Sequence, residues 1–268
     1  MIIVKWNCKD MVEWIYMRND RLLAMEKIIE QSGTISMTEL CNLFNVSMNT
    51  VRRDVAELRR RGAVEKVYGG VCAVENGGSV LRPFAERQTI ADAAKRAICR
   101  EAAKLLEDGD VVFVDSGTTM VHLVDNLAHR QELTIITNNL ALVQQAIPYD
   151  NLRIIVLPGQ LRRKTNSLTG METVRALRQY NIRKAFLAAT GSTLTGVTNS
   201  SPQEYEIKRT ALECSAERIL MLCQQKFGHA GLMTYADFKD FHYVVTDHPL
   251  EAPYAEAVKR VGVKVIHP

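Results

Sequence analysis

The sequence predicts an α/β protein in two parts, a small helical module closed by a β-hairpin and a larger domain built on a mainly parallel sheet. Three observations predict it. Helix start and stop signals follow one another closely near the N-terminus and end in a glycine-punctuated hairpin. A polar stretch, Asn76-Gly77-Gly78-Ser79, then interrupts the pattern. Beyond it, apolar runs of about five residues alternate with helical stretches, as strands covered on both faces require. The expected division is an N-terminal extension (1–17), a first domain (18–74), a linker (75–81) and an α/β domain (82–268). A length of 268 residues suits two domains.

Composition removes several classes. With 47% hydrophobic and 24% charged residues the chain reads as folded and soluble, and no apolar run approaches the ~18 residues of a bilayer span. Lys5, Lys9, Asp10 and Glu13 break the opening stretch, so no signal peptide is expected there. Cysteines 8, 41, 72, 99, 214 and 223 are scattered without C-x-x-C spacing, which fits a reduced, cytoplasmic protein without a metal site. A net charge of +4 is too mild to indicate nucleic acid, so its location decides.

Met17 opens MRNDRLLAMEKIIEQSG, a complete first helix whose stripe is Leu22, Leu23, Met25, Ile28 and Ile29 and whose stop is Gly33. Residues 1–17 are therefore read as a mis-assigned start, against a rival reading in which Trp6 and Trp14 dock an extra helix. Ser36 with Glu39 forms a capping box that starts a second helix, ending at Phe44. After the turn Asn45-Val46-Ser47, Ser47 caps a third helix that stops at Gly62. Two helices joined by such a turn are a helix-turn-helix.

On the third helix Val51, Val55 and Leu58 share one stripe, while Asn49, Arg53, Ala56 and Arg60 lie opposite and Arg52 flanks them. From Ser47 to Lys66 six Lys or Arg face three acids, which concentrates most of the excess charge. Next, VEKVYGGVCAV reads as two strands about a Gly69-Gly70 turn, the wing of a winged helix-turn-helix. A solvated charged face is the usual fate of a basic run, but this constellation points to double-stranded DNA. The expected contacts are Asn49, Thr50, Arg52, Arg53 and Arg60, with the capped helix starts at Ser36 and Ser47 offering N–H groups to phosphate.

In the second part a helix is expected over about 85–106, then the strand VVFVD, the loop SGTT and a helix to about Ala128. Further strands are expected near LTIIT, RIIVLP, AFLAAT, RILML, YVVTD and VKVIH. Ligands of open α/β sheets gather at the carboxyl ends of strands, where Asp115, Ser116, Gly117, Thr118 and Thr119 would sit. Their hydroxyls and N–H groups suit an anion at a helix N-terminus, although Asp and Thr also cap helices without binding anything. Polar loops at Thr137-Asn138-Asn139 and Thr190-Gly191-Ser192 on the same edge favour a pocket.

Residues 18–74 resemble the DNA-binding domain of the DeoR family of bacterial transcriptional regulators, through ELCNLFNVSMNTVRRDVAEL at 39–58 and YGGV at 68–71. Tyr68 departs from the family's usual His. The remainder resembles that family's effector domain, related to ribose-5-phosphate isomerase and glucosamine-6-phosphate deaminase. The stretches that carry this are DSGTT at 115–119, ITNN at 136–139, LPGQ at 157–160, the region of Glu204 and Arg209, KFG at 226–228 and VTD at 245–247. The resemblance implies that Asp115–Thr119 holds an effector phosphate, with Lys226 as a cation and Thr137, Asn138, Gly191, Glu204 and Arg209 around it. Departures are Gln160 where the family has Gly, Cys223 for Asp and Arg209 for Lys. The expected protein is a cytoplasmic repressor without cofactor, a dimer or higher homo-oligomer on operator DNA, controlled by a phosphorylated sugar or related metabolite. The rival is a sugar-phosphate isomerase or deaminase using Glu204 or Asp115 as base. No acid–base pair is evident for it, and His122 and His129 read as packing or surface residues.

Overall fold

A computed structural model describes residues 20–29, 34–61, 63–67, 70–73 and 83–268. The expected features at 1–17, at Gly33 and Gly62, at Tyr68-Gly69 and along 76–79 lie outside these residues. The chain divides into two compact units, Met1–Asn76 and Gly77–Pro268.

In the first unit, α1 (20–29) and β1 (Thr34–Ser36) precede α2 (Met37–Phe44) and α3 (Met48–Arg60), and β2 (Val64–Val67) and β3 (Gly70–Ala73) follow. Leu22, Met25 and Ile29 pack with Leu40, Val51, Val55 and Leu58, so the expected stripes form the core. Leu23 is the exception, 47% exposed, because it lies one residue off the buried stripe. The capping box is present: Ser36 Oγ accepts from the Glu39 N–H and Glu39 accepts from the Ser36 N–H. Asn45 closes α2 in the left-handed region at φ 49°, a conformation asparagine tolerates. Gly70, expected in the hairpin turn, instead opens β3 opposite Val67. It must be glycine because β1, a strand too short to show in the sequence pattern, pairs with β3, and a Cβ would lie 2.3 Å from the Ile35 carbonyl oxygen.

The second unit begins with α4 (Phe84–Thr89), α5 (Asp92–Ala103) and β4 (Val111–Val114). After a 3-10 helix, Met120–Asn126, come β5 (Leu133–Thr137), α6 (Leu140–Ala146), β6 (Leu152–Val156), the hairpin β7 (Gln160–Arg162) and β8 (Ser167–Thr169), and α7 (Met171–Leu177). Then follow β9 (Ile182–Ala188), β10 (Gly191–Thr193), β11 (Gly196–Asn199), α8 (Pro202–Cys214), β12 (Ser215–Met221) and β13 (Met233–Ala236). The chain closes with β14 (Tyr243–Val245), α9 (Ala252–Arg260) and β15 (Lys264–Ile266).

Seven strands form one parallel sheet in the order β15-β14-β12-β9-β4-β5-β6. Alternation along the strands serves both faces. Phe113 and Leu187 pack with Val174 of α7 and Ile207 of α8, while Val112, Val114 and Phe186 pack with Ile98 of α5 and Leu142 of α6. Strand order reverses between β4 and β9, which opens a crevice at their carboxyl ends.

The structure corrects three local expectations. The single helix expected over 85–106 is two, broken at Ala91 with φ 55°, because the Lys95 ammonium takes the carbonyl oxygens of Arg87 and Gln88 at the end of α4. The helix after SGTT is a seven-residue 3-10 helix, closed by i to i+3 bonds such as Met120 N–H to Gly117 O, so it lends little dipole to an anion. Gly191 and Ser192 are not loop but the start of β10, in a separate antiparallel sheet β10-β11-β13.

Candidate functional site

Each unit presents one charged site. On α3 the packing residues Val51, Val55 and Leu58 are wholly buried, and Asn49, Arg52, Arg53 and Arg60 are exposed on the other side, as helical phase expects. Ser47 caps the helix by accepting from the Thr50 N–H at 3.2 Å, and the two hydroxyls lie 2.9 Å apart. Among the described residues neither Arg52 nor Arg53 is paired with an acid. Arg60 differs: its guanidinium grips Glu57 at 2.7 and 3.0 Å, and Arg61 joins at 3.0 Å. Those bonds hold the Glu57 carboxyl down at about 2. Beneath the basic face Asp54 is buried and accepts from Arg21 Nε at 2.7 Å, which ties α1 to α3. Sequence pattern had marked Asp54 only as part of a motif.

The second site fills the crevice between β4 and β9. Ser116, Gly117, Thr118 and Thr119 form one wall of a cavity of about 100 Å3, and Glu204, Lys208, Arg87 and Lys226 complete much of the rest. Gly117 permits the loop to approach β9, since a Cβ would sit 2.6 Å from that of Ala188. Asp115 lies below the loop, 1% exposed, where it pairs with the Lys208 ammonium and accepts from the Ala188 N–H at 2.9 Å. Lys208 also donates to the Ala188 carbonyl at 3.0 Å. Glu204 stands one turn before Lys208 on α8, and its Oε1 accepts from the hydroxyls of Ser116 at 2.7 Å and Ser167 at 3.0 Å.

Lys226 sits on a short 3-10 helix after β12 and donates to the Ala189 carbonyl at 3.0 Å. Burial, followed by repulsion from Arg87 and Lys208, pushes its pKa below the ordinary lysine value, while Cys223 opposes the shift. Lys95, behind α4, is pushed down to about 8 by burial and then by Lys226. Burial also lowers Arg87, against the attraction of Glu204. The crevice thus gathers cations whose charge the nearby acids do not cancel, since Asp115 is committed to Lys208 and Glu204 to two hydroxyls.

Other expected residues stand outside this cavity. Thr137 and Asn138 are wholly buried and brace the loops, Thr137 Oγ1 donating to the Val114 carbonyl at 2.6 Å and Asn138 Nδ2 to the Leu168 carbonyl at 2.9 Å. Gly191 lies within β10, against the His229 carbonyl. Arg209 points away, donating to the Tyr235 carbonyl at 3.2 Å, because it is about 100° round the helix from the cavity-facing Lys208. The residues that pattern reading missed are Lys208, for which the i,i+4 spacing from Glu204 was a usable signal, and Arg87, for which no local signal existed. Of the two histidines, His122 is buried with its ring 3.1 Å from Asp92, and His129 is exposed.

Comparison with known proteins adds an independent line. The family model of the DeoR-like helix-turn-helix domain matches residues 21–76, and that of the DeoR C terminal sensor domain matches residues 90–248. The chain is 44% identical over 237 residues to the HTH-type transcriptional regulator IolR of Bacillus subtilis, covering 88% of this chain and 94% of that protein. It is 32% identical over 233 residues to a lactose phosphotransferase system repressor of Staphylococcus epidermidis, covering 85% and 92%. Among solved structures, a ribose 5-phosphate isomerase from Methanocaldococcus jannaschii aligns with a TM-score of 0.37 at 15% identity, over 51% of this chain and 54% of that one.

Proposed function

For a chain that belongs to the DeoR family of transcriptional regulators, with its helix-turn-helix and its sensor domain, we propose a repressor whose operator affinity is set by a phosphorylated sugar or related metabolite in the crevice between β4 and β9. The observation that carries this reading is the cavity itself: the hydroxyls of the Ser116–Thr119 loop face Arg87, Lys208 and Lys226, while both neighbouring acids are engaged elsewhere. A phosphate dianion supplies the charge that this arrangement lacks. Asp115, Glu204 and the buried hydroxyls then serve as the frame that holds the cations apart, and Lys226 reaches the anion directly.

On the DNA side, Arg52 and Arg53 read or clamp the operator from α3, with Asn49 and Thr50 at the helix start and Arg60 available once it leaves Glu57. The relative named as a lactose phosphotransferase system repressor supports the negative sign of regulation. Operators are commonly two-fold, so the working form is a homo-oligomer of at least two copies, acting in the cytoplasm. Effector and DNA are linked: a ligand that favours the unbound state binds more weakly to protein on DNA, by the same factor. Catalysis is a poorer account of the cavity, because neither acid is left to take a proton from a substrate carbon.

The test is thermal unfolding of the whole protein with matched phosphorylated and unphosphorylated sugars. A phosphorylated compound at ~100 times its dissociation constant should stabilise the fold by about 2.7 kcal/mol, and its parent sugar should not. The same compound should release a duplex selected by the protein from a random pool. Equal stabilisation by both sugars refutes the phosphate; turnover of a sugar phosphate that Glu204→Gln abolishes refutes the regulator.

A further inference from the structure

We infer that α4 relays the occupancy of this pocket toward the preceding linker, and that Arg87 is the anion-binding side chain through which it does so. The inference rests on the anion reading of the crevice and extends it to a residue and a movement.

Arg87 is the one cation of the cavity that stands on neither the sheet's loops nor α8, but on the first described element after the linker between the two units. A helix of six residues holds no stable position of its own, so its contacts fix where it lies. Three are on view. Phe84 is buried at its start, with the Arg87 guanidinium 5.6 Å above its ring. The Lys95 ammonium holds its last carbonyls, those of Arg87 and Gln88. The Arg87 side chain itself reaches the cavity.

The rest of its surroundings are loose. An open cavity of about 510 Å3 lies along α4, with Phe84 and Gln88 on one side and Val121, Ala141 and Gln144 among the residues opposite. The joint to α5 is Ala91, a non-glycine residue in the left-handed region at φ 55°, whose strain a turn of α4 would change. A short helix bounded by a void and a strained joint, and anchored by one guanidinium in an anion site, changes position when that guanidinium gains an anionic partner. Lys95 tightens the same anchor, because an anion nearby favours its charged form and so its hold on the two carbonyls.

The experiment is hydrogen exchange on the full-length chain with and without saturating inorganic phosphate. Phosphate should slow the amides of 84–90 by about tenfold together with those of 116–119. Arg87→Met should keep the protection at 116–119, with phosphate binding weakened by about tenfold, and lose the protection at 84–90. Arg87→Lys should restore binding but only part of the protection, since a point charge lacks the fork. Protection of 116–119 in the wild type with no change at 84–90 overturns the relay and leaves the anion site standing. No protection at 116–119 overturns the anion site and the relay together. Protection at 84–90 that persists in Arg87→Met assigns the movement to another residue and overturns the role of Arg87.

Discussion

On α3 the charges stand outside a helix that Val51, Val55 and Leu58 hold in place, whereas in the crevice between β4 and β9 the charges are themselves part of the packing. Arg52 and Arg53 are exposed, while Asp115 and Lys208 are 1% and 3% exposed and lean on each other. Removal of an exposed arginine leaves nothing buried behind, so DNA affinity and stability are separable in the first unit. Removal of a buried partner leaves an uncompensated charge, so binding and stability are joined in the second. Binding in the crevice therefore acts directly on the fold, which is what a sensor needs.

The sharpest break of this contrast is Asp115→Ala. It strands the Lys208 ammonium and frees the Ala188 N–H, and should cost about 3–5 kcal/mol in urea unfolding of the sheet unit; a loss below ~1 kcal/mol would show that the pair is not a structural one. The double variant Arg52→Ala/Arg53→Ala should lose about 1–3 kcal/mol of specific DNA affinity per base-reading arginine and shift stability by no more than ~0.5 kcal/mol. Intact operator binding there, measured by fluorescence anisotropy, removes α3 as the reading element.

Lys95 sharpens the comparison by pH. Its folded pKa, about 8, lies below the ordinary 10.5, so the unfolded chain holds the extra proton between those values. Stability from this group is therefore lowest below about 8 and rises as pH climbs toward 10.5, and the wild type should gain on Lys95→Met through that window in paired unfolding curves. A difference that stays flat, or that moves the other way, would place Lys95 in contact with water rather than behind α4. The smallest effect belongs to Glu57. Glu57→Gln should change stability by less than ~1 kcal/mol and release Arg60, raising non-specific DNA affinity and its salt dependence. In the wild type this carboxyl's contribution, present above the ordinary 4.5, should fade as pH drops toward about 2.

The reading of the first unit succeeded where interactions are local. Ser36 with Glu39 and Ser47 with Thr50 act within one turn, and the phase of Val51, Val55 and Leu58 follows from helix geometry alone, so caps, helices and the exposed arginines were all legible. It failed at β1, whose three residues carry no period and whose place depends on β3, seen only through the need for glycine at 70. In the second unit the strands were legible as apolar runs, and their parallel arrangement followed from being covered on both faces. Ala91 was not, because the break between α4 and α5 is imposed by Lys95 folding back onto α4 rather than by any helix-breaking residue.

The order of amino acids was enough to establish a winged helix-turn-helix with a basic face, a parallel α/β domain and a loop at Ser116–Thr119 on the sheet's carboxyl edge, since each arises from contacts within a few residues or from burial periodicity. Which cations meet at that loop was decided by the packing of distant segments: β9 beside β4, α8 turned so that Lys208 and not Arg209 enters the crevice, and α4 laid so that Arg87 arrives from nearly thirty residues upstream. Buried charges take their partners from whatever the fold brings within hydrogen-bond reach, and no spacing along the chain encodes that distance.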